Sequence, residues 1–253
     1  MTEEEYIFIS DVHLGAFSES EEERVETELV ELIHYAISKK AHLYILGDLF
    51  DYWMEFPKSD QIPSPGKKVL EAFERYNRTV GPALYITGNH DNWTLGHFET
   101  LGFNVENEYK ILELEDQKIL LLHGDGVFNS NGEFKRGLLH QILRNRTFLK
   151  LYRSLLPPSV GIFLMRSFSK LSKLFEHQDP VPLSDNAKWA TEHLPVDVVL
   201  CGHDHIPRTE HLEHGLYINT GTFFYHKTVA RYVNGEFSLV TWKSNTKEFA
   251  PFS

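Results

Sequence analysis

Residues 198–207 read VVLCGHDHIP: four apolar residues, a glycine, then two histidines either side of an aspartate. A continuous apolar run of this kind suits a strand covered on both faces. Further runs share the pattern: YIFIS at 6–10, HLYILGD at 42–48, ALYITGN at 83–89 and KILLLHGD at 118–125. Amphipathic segments at 21–38 and 66–80 separate the early runs and carry helical spacing. Strand–helix alternation predicts an α/β layout. The C-terminal third differs. GLYINTGTFF, TVARYVNGEFSLVTW and the Asn234–Gly235 pair signal antiparallel strands and a tight hairpin, so the sheets are expected to be mixed.

The chain has 253 residues, 42% of them apolar, enough for a sizeable core. It is expected to form a single domain over 1–253. The stretch 127–180 breaks the rhythm and is expected to form an inserted helical cap. It reads as two or more helices, EFKRGLLHQILRNRTFLKLYRSLL and VGIFLMRSFSKLSKLF, divided by Pro157–Pro158.

Charge separates the same two regions. The net charge is -11, which argues against a nucleic-acid binder. Yet residues 126–180 hold nine basic against three acidic residues, and the rest of the chain holds 16 against 33. One cysteine, Cys201, excludes an internal disulfide framework and fits a reducing compartment. The acidic start MTEEEYIFIS lacks the basic flank of a secretory signal and is expected to be a first strand. No run matches a bilayer-spanning helix. A cytoplasmic protein is expected, with room for a position on a membrane surface.

Each apolar run ends in polar groups: Asp11 and His13, Asp48 and Asp51, Asn89 with His90 and Asp91, His123 and Asp125, His203 and His205. Functional groups of open α/β sheets gather outside the carboxyl ends of strands. Taken singly, each cluster is ordinary turn chemistry. Together, Asp11, His13, Asp48, Asn89, His123, His203 and His205 make seven candidate ligands, more than one ion needs. They match two divalent ions that share a bridging carboxylate. Oxygen and imidazole donors without thiolate favour Mn, Fe or Zn over a structural zinc site. Two such ions, about 3.5–4 Å apart, activate a bridging water and clamp a phosphoryl group for in-line displacement.

SDVHLG, GDLFD, GNHD, HGD and GHDH stand in the order of the sequence blocks of the calcineurin-like metallophosphoesterases, and over residues 6 to 225 the chain resembles that family. The resemblance implies a four-layer αββα sandwich of two β-sheets. It implies one ion held by Asp11, His13, Asp48 and His205, and another by Asp48, Asn89, His123 and His203. It also implies that His90, oriented by Asp51, stabilises the transition state or protonates the leaving group, a role that suits an imidazole fixed by a carboxylate. Asp204 departs from the family's usual Thr in GHTH and is expected to face solvent.

LYILGDLFDYW with the inserted cap resembles, more narrowly, the UDP-2,3-diacylglucosamine hydrolases of lipid A biosynthesis. This implies cleavage of a lipid-linked nucleotide sugar to UMP and 2,3-diacylglucosamine 1-phosphate, with Trp53 facing the substrate. Some members carry Arg where this chain has His90, which leaves the subfamily open.

The cap residues speak independently of that resemblance. Leu164, Phe168, Leu171 and Phe175 share a helical face, with Arg166, Lys170 and Lys173 interleaved. Such a stripe ordinarily packs on a protein body. Within an acidic protein, a basic amphipathic cap also suits anionic lipid, and hence a peripheral position on the cytoplasmic face of the inner membrane. Arg144, Arg153 and Arg166 are candidate phosphate contacts. Nothing calls for an obligate protein partner. A phosphodiesterase or phosphatase acting on a soluble nucleotide is the runner-up, and a non-catalytic scaffold is opposed by the presence of the whole ligand set.

Overall fold

The structure, a computed structural model, describes residues 4–56, 66–172 and 182–252. The chain begins β1 (Glu5–Ile9), α1 (Glu19–Lys39), β2 (His42–Leu46), α2 (Lys67–Thr79), β3 (Leu84–Ile86), α3 (His97–Thr100) and β4 (Asn104–Glu106). It continues β5 (Tyr109–Leu114), β6 (Gln117–Leu122), β7 (Gly126–Phe128), β8 (Phe134–Arg136), α4 (Leu138–Leu143), α5 (Arg146–Leu155) and α6 (Pro158–Ser172). After α7 (Leu183–His193) come β9 (Val198–Cys201), β10 (Arg208–Leu212), β11 (Gly215–Asn219) and α8 (Phe223–His226). The last strands are β12 (Thr228–Val233), β13 (Glu236–Lys243) and β14 (Glu248–Pro251).

Two mixed sheets result. One has seven strands in the order β14-β13-β12-β1-β2-β3-β4, and the other five in the order β10-β11-β9-β6-β5. β1 to β4 run parallel, and β12 joins β1 antiparallel. In the second sheet β11, β9 and β6 are parallel, with β10 and β5 antiparallel at its edges. Asn234 and Gly235, both at positive φ, turn β12 into β13 as the Asn-Gly signal requires.

The apolar runs explain the layering. In a strand alternate side chains face opposite ways, so a run that is apolar throughout buries both faces. Ile7 and Ile9 point to α1 and α2, where Val25, Leu29, Leu32 and Phe73 pack. Phe8 points between the sheets, to Leu46, Leu121 and Leu200. On β6 and β9, Leu120, Leu122, Val199 and Cys201 face α7. Helices therefore cover the outer face of each sheet, giving the α/β, four-layer αββα sandwich. Cys201 is a buried free thiol, pushed up to about 12 by burial.

The described part of residues 127–180 holds three helices, in keeping with the expected two or more, and a hairpin that was not expected. It opens with the β7–β8 hairpin, and α4 and α5 divide at Asn145, which caps α5 by accepting from Thr147 and Phe148 N–H groups. Pro157–Pro158 does separate α5 from α6, with Pro158 at the first helical position, where its missing N–H costs nothing. Leu149 of α5, with Ile162 and Met165 of α6 beside it, packs on Met54, Phe56 and Trp93. The packed face of α6 thus includes Gly161, Ile162 and Met165, whereas Leu164 of the expected stripe is exposed. The side chains of Phe168 and Leu171, and Phe175 altogether, lie outside the described residues.

Candidate metal centre

The carboxyl ends of β1, β2, β3, β6 and β9 converge, and backbone bonds stitch their loops together. Val12 and His13 N–H groups donate to the Asp48 carbonyl at 2.9 and 3.0 Å, and Gly202 N–H donates to the His123 carbonyl at 3.0 Å. Asp11, His13, Asp48, His203 and His205 all have positive φ, between 49° and 76°. Such backbone is costly for a residue with a side chain and persists where the surroundings impose it, as at functional sites. The adjoining glycines are set by contact. A Cβ on Gly88 would stand 2.0 Å from Asp48 Oδ1, and one on Gly202 would stand 2.2 Å from Asp11 Oδ2.

Donor atoms of Asp11, His13 and His205 lie within 4.8 Å of one another, as do those of His13, Asp48 and His90 and those of Asp11, Asp48 and His123. Asp48 thus reaches both halves of the cluster. His13 Nε2 and His205 Nε2 are 3.1 Å apart, and Asp11 Oδ1 lies 3.3 Å from His205 Nε2. On the other side His123 Nε2 faces Asn89 Oδ1 at 2.9 Å and Asp48 Oδ2 at 3.4 Å. The His203 ring stands edge-on to His123, with centroids 5.0 Å apart, while the His203 backbone N–H donates to Asp11 Oδ2 at 2.9 Å.

This donor set fits a pair of divalent ions. His123 Nδ1 contacts the Leu46 carbonyl at 2.8 Å, which makes Nδ1 the protonated nitrogen. Once it gives up its second proton, the ring aims the Nε2 lone pair at two oxygen acceptors, an arrangement that a cation satisfies. Among the described residues Asp11 Oδ1 is buried without a hydrogen-bond partner. The protein's own charges show the same tension. Burial pushes the Asp48 carboxyl up, but His123, His90 and His13 hold it well below the usual range. Burial opposes protonation of His13, yet Asp11, Asp51 and Asp48 raise it to about 9. His123 is likewise raised to about 10, burial being outweighed chiefly by Asp48.

His90 is held by the backbone of Asp51. Its Nδ1 lies 2.8 Å from the Asp51 carbonyl oxygen and 4.0 Å from the Asp51 carboxylate. The Asp51 carboxylate also stands 3.5 Å from His13 Nδ1. His90 N–H donates to Asp48 Oδ1 at 2.9 Å.

The substrate-facing expectations fare differently. Trp53 is 1% exposed, its ring packed among Phe50 and Phe98 and its Nε1–H donated to Glu55, so it belongs to the core and does not face a substrate. Arg144 directs all its N–H groups to protein acceptors, and is no phosphate contact in this arrangement. Arg153 is half-buried, donates to the Trp93 carbonyl at 2.7 Å and lies over the Trp93 ring. Arg166 is on α6, and its side chain is outside the described residues. Asp204 is not simply solvated: it pairs with Arg208 and accepts from Ile206 N–H at 3.1 Å, bracing the turn between His203 and His205.

The sequence gives no role to Asp91, which the structure shows to be fully buried. Its Oδ2 accepts from Leu49 N–H at 2.8 Å and from the Tyr85 hydroxyl, and its Oδ1 from Gly88 N–H at 2.7 Å. It bolts the loop of Asp48 to the loop of Asn89. Burial and the neighbouring Asp48 charge raise it to about 6. The acid ending GNHD was its visible signal.

The calcineurin-like phosphoesterase family matches this chain over residues 6–207. A UDP-2,3-diacylglucosamine hydrolase of Proteus mirabilis (strain HI4320) is 29% identical over 207 residues, covering 79% of this chain and 82% of its own. The protein of the same name from Coxiella burnetii (strain Dugway 5J108-111) is 26% identical over 261 residues, covering 94% of this chain and 97% of its own. With strand-end blocks, sandwich and family match in agreement, the chain belongs to the calcineurin-like phosphoesterase family and is a metal-dependent hydrolase.

Proposed function

We propose that this chain cleaves the pyrophosphate of UDP-2,3-diacylglucosamine, releasing UMP and 2,3-diacylglucosamine 1-phosphate. The observation that carries the reading is a metal-type donor cluster set beside a cap with an apolar outer surface. Of the twelve large hydrophobic residues exposed among the described residues, eight lie between Leu138 and Leu164. Leu138, Leu155 and Phe163 are each more than two-thirds exposed, with exposed Arg146 and Lys150 nearby in sequence. Apolar and basic groups together suit acyl chains and an anionic membrane surface, and so a peripheral position on the cytoplasmic face of the inner membrane. No helix among the described residues is long and apolar enough to cross a membrane. Residues 127–180 act in this reading as an inserted lid over the site. The hydrolases of Proteus and Coxiella support it by name and by their span of the chain.

Asp11, His13, Asp48 and His205 would hold one ion, and Asp48, Asn89, His123 and His203 the other. Mn is the proposed occupant, with Fe and Zn as alternatives of similar donor preference. Two ions bound there supply the charge that activates water and neutralises phosphoryl oxygens. His90 keeps Nδ1–H on the Asp51 carbonyl and holds its second proton at Nε2, the atom on the Asp48 side, for the leaving oxygen. Asp91 and Asp48 fix the loop that presents it.

The test is UMP release from the diacyl substrate with added Mn and with chelator. Release that requires Mn and stops with chelator is expected. Hydrolysis of a soluble nucleotide phosphodiester with none of the diacyl substrate would instead establish the runner-up.

A further inference from the structure

Arg144 occupies the junction of α4 and α5, where the cap meets the metal loops. Its guanidinium has five N–H groups. Nε donates to Asp125 Oδ2 at 3.0 Å, Nη1 to Thr87 Oγ1 at 3.1 Å and to the Asn107 carbonyl at 2.9 Å. Nη2 donates to the carbonyls of Thr87 at 3.0 Å and Gly88 at 2.7 Å. Gly88 directly precedes Asn89, and Asp125 follows His123 by two residues. The Arg144 and Asp125 side chains are 11% and 2% exposed, so the contact is dry. Arg136 of β8 adds a bond to the same Asp125 oxygen at 3.1 Å and one to the Asn107 carbonyl at 3.0 Å.

We propose that Arg144 is a positioning residue for the Asn89/His123 half of the metal centre, coupling the cation affinity of that half to the seating of the cap. This rests on the reading of Asn89 and His123 as metal ligands. One planar fork spans a carboxylate and successive backbone carbonyls. A lysine, with three donors on a point charge, cannot reproduce that span. Groups that hold metal ligands in place typically set metal affinity by about 10–100-fold. A phosphate-binding arginine would act on substrate affinity instead.

The experiment compares metal-free wild type with Arg144→Lys and with the double variant Asp125→Asn/Arg144→Leu. The double variant removes the buried charge and its partner together and so avoids an unpaired carboxylate. Mn2+ binding is followed by electron paramagnetic resonance of the free ion, folding by circular dichroism, and UMP release at limiting and saturating Mn2+. The expected result is one unchanged Mn2+ site and one weakened by about 10–100-fold. kcat should then fall at limiting Mn2+ and recover at saturation, with KM for the diacyl substrate moving by less than roughly threefold. Unchanged Mn2+ affinity with a raised KM would overturn the proposal and make Arg144 a substrate contact. Unchanged values throughout would make its bonds packing alone. Asn89→Ala separates the two levels of inference. If it still binds two Mn2+ per chain, the ligand reading itself fails and takes the proposal with it. If it loses one while the Arg144 variants lose nothing, only the proposal fails.

Discussion

The sandwich body and the cap bury their apolar residues to very different degrees. In the body, Leu121 and Leu200 have no exposure between the sheets, and α1, α2 and α7 seal the outer faces. Among the described residues of the cap, Phe128 packs with Leu120 and Leu122 of β6 and Leu149 packs on Met54, Phe56 and Trp93, while eight large hydrophobic residues face outward. A packed sandwich can hold five candidate ligand residues at positive φ, because each strained loop is fixed from both sides. The described part of the cap has less to fix it, and Arg144 and Arg136 tie it to the loop of Asp125. Rigidity is concentrated where charge must be placed to a fraction of an ångström, and apolar exposure where a ligand would cover it.

The largest expected effect tests the body. His123→Ala should lower turnover by more than about 100-fold, the upper end of what loss of a mere supporting group costs. Circular dichroism should show an intact fold, and a rate near wild type would refute the metal assignment. Next in size is packing. Leu121→Ala should cost about 2–5 kcal/mol in denaturant unfolding, as expected for a cavity between two sheets. Leu149→Ala should cost less, because the cap can relax around the gap. Equal costs would mean that the cap is as tightly packed as the body.

The same contrast decides what the sequence could tell. The strands were legible because both-face burial leaves continuous apolar runs, and the metal-type residues because they stand at fixed offsets from those runs. Trp53 was misplaced because position in a block does not say which way a side chain turns. Here the ring turns into the α1–α2 core. Arg144 looked like a phosphate contact because its acceptors, Thr87 and Gly88, lie 57 and 56 residues away and are mostly backbone carbonyls. No residue-type pattern marks a carbonyl that needs a donor. The β7–β8 hairpin escaped notice for a related reason. Its strands are three residues each, too short for a period of two to stand out. Asp204 was closer to readable, since Arg208 is its i+4 neighbour, although the turn between them is not helical.

A smaller effect concerns protons at the centre itself. In the metal-free protein His13 and His123 are raised to about 9 and about 10, so at neutral pH they hold protons that a cation must displace. Both groups are raised, so affinity for Mn2+ should climb as pH rises from 6.5 towards 10 and level off only above. Calorimetry at pH 7.5 in two buffers of different ionisation enthalpy should register net proton release on Mn2+ binding. Zero release would mean that both rings are already neutral.

The smallest effect on stability falls on the cap's outer face. Leu155 and Phe163 are 69% and 68% exposed, so Leu155→Ser and Phe163→Ser remove little buried contact. Unfolding free energy should stay within about 0.5 kcal/mol of wild type. If that face meets acyl chains or a membrane, the double variant should raise the apparent KM for diacyl substrate presented in anionic vesicles, since each lost apolar contact weakens interfacial binding. Its rate on a soluble phosphodiester should not move, because neither residue packs in the cluster that seats the cap. A parallel loss on both substrates would show that the two side chains support the cap's position, and the outer face would then be structural. An unchanged KM on vesicles with unchanged stability would leave the exposed residues without a lipid role, and the case for a lipid-linked substrate would rest on the relatives alone.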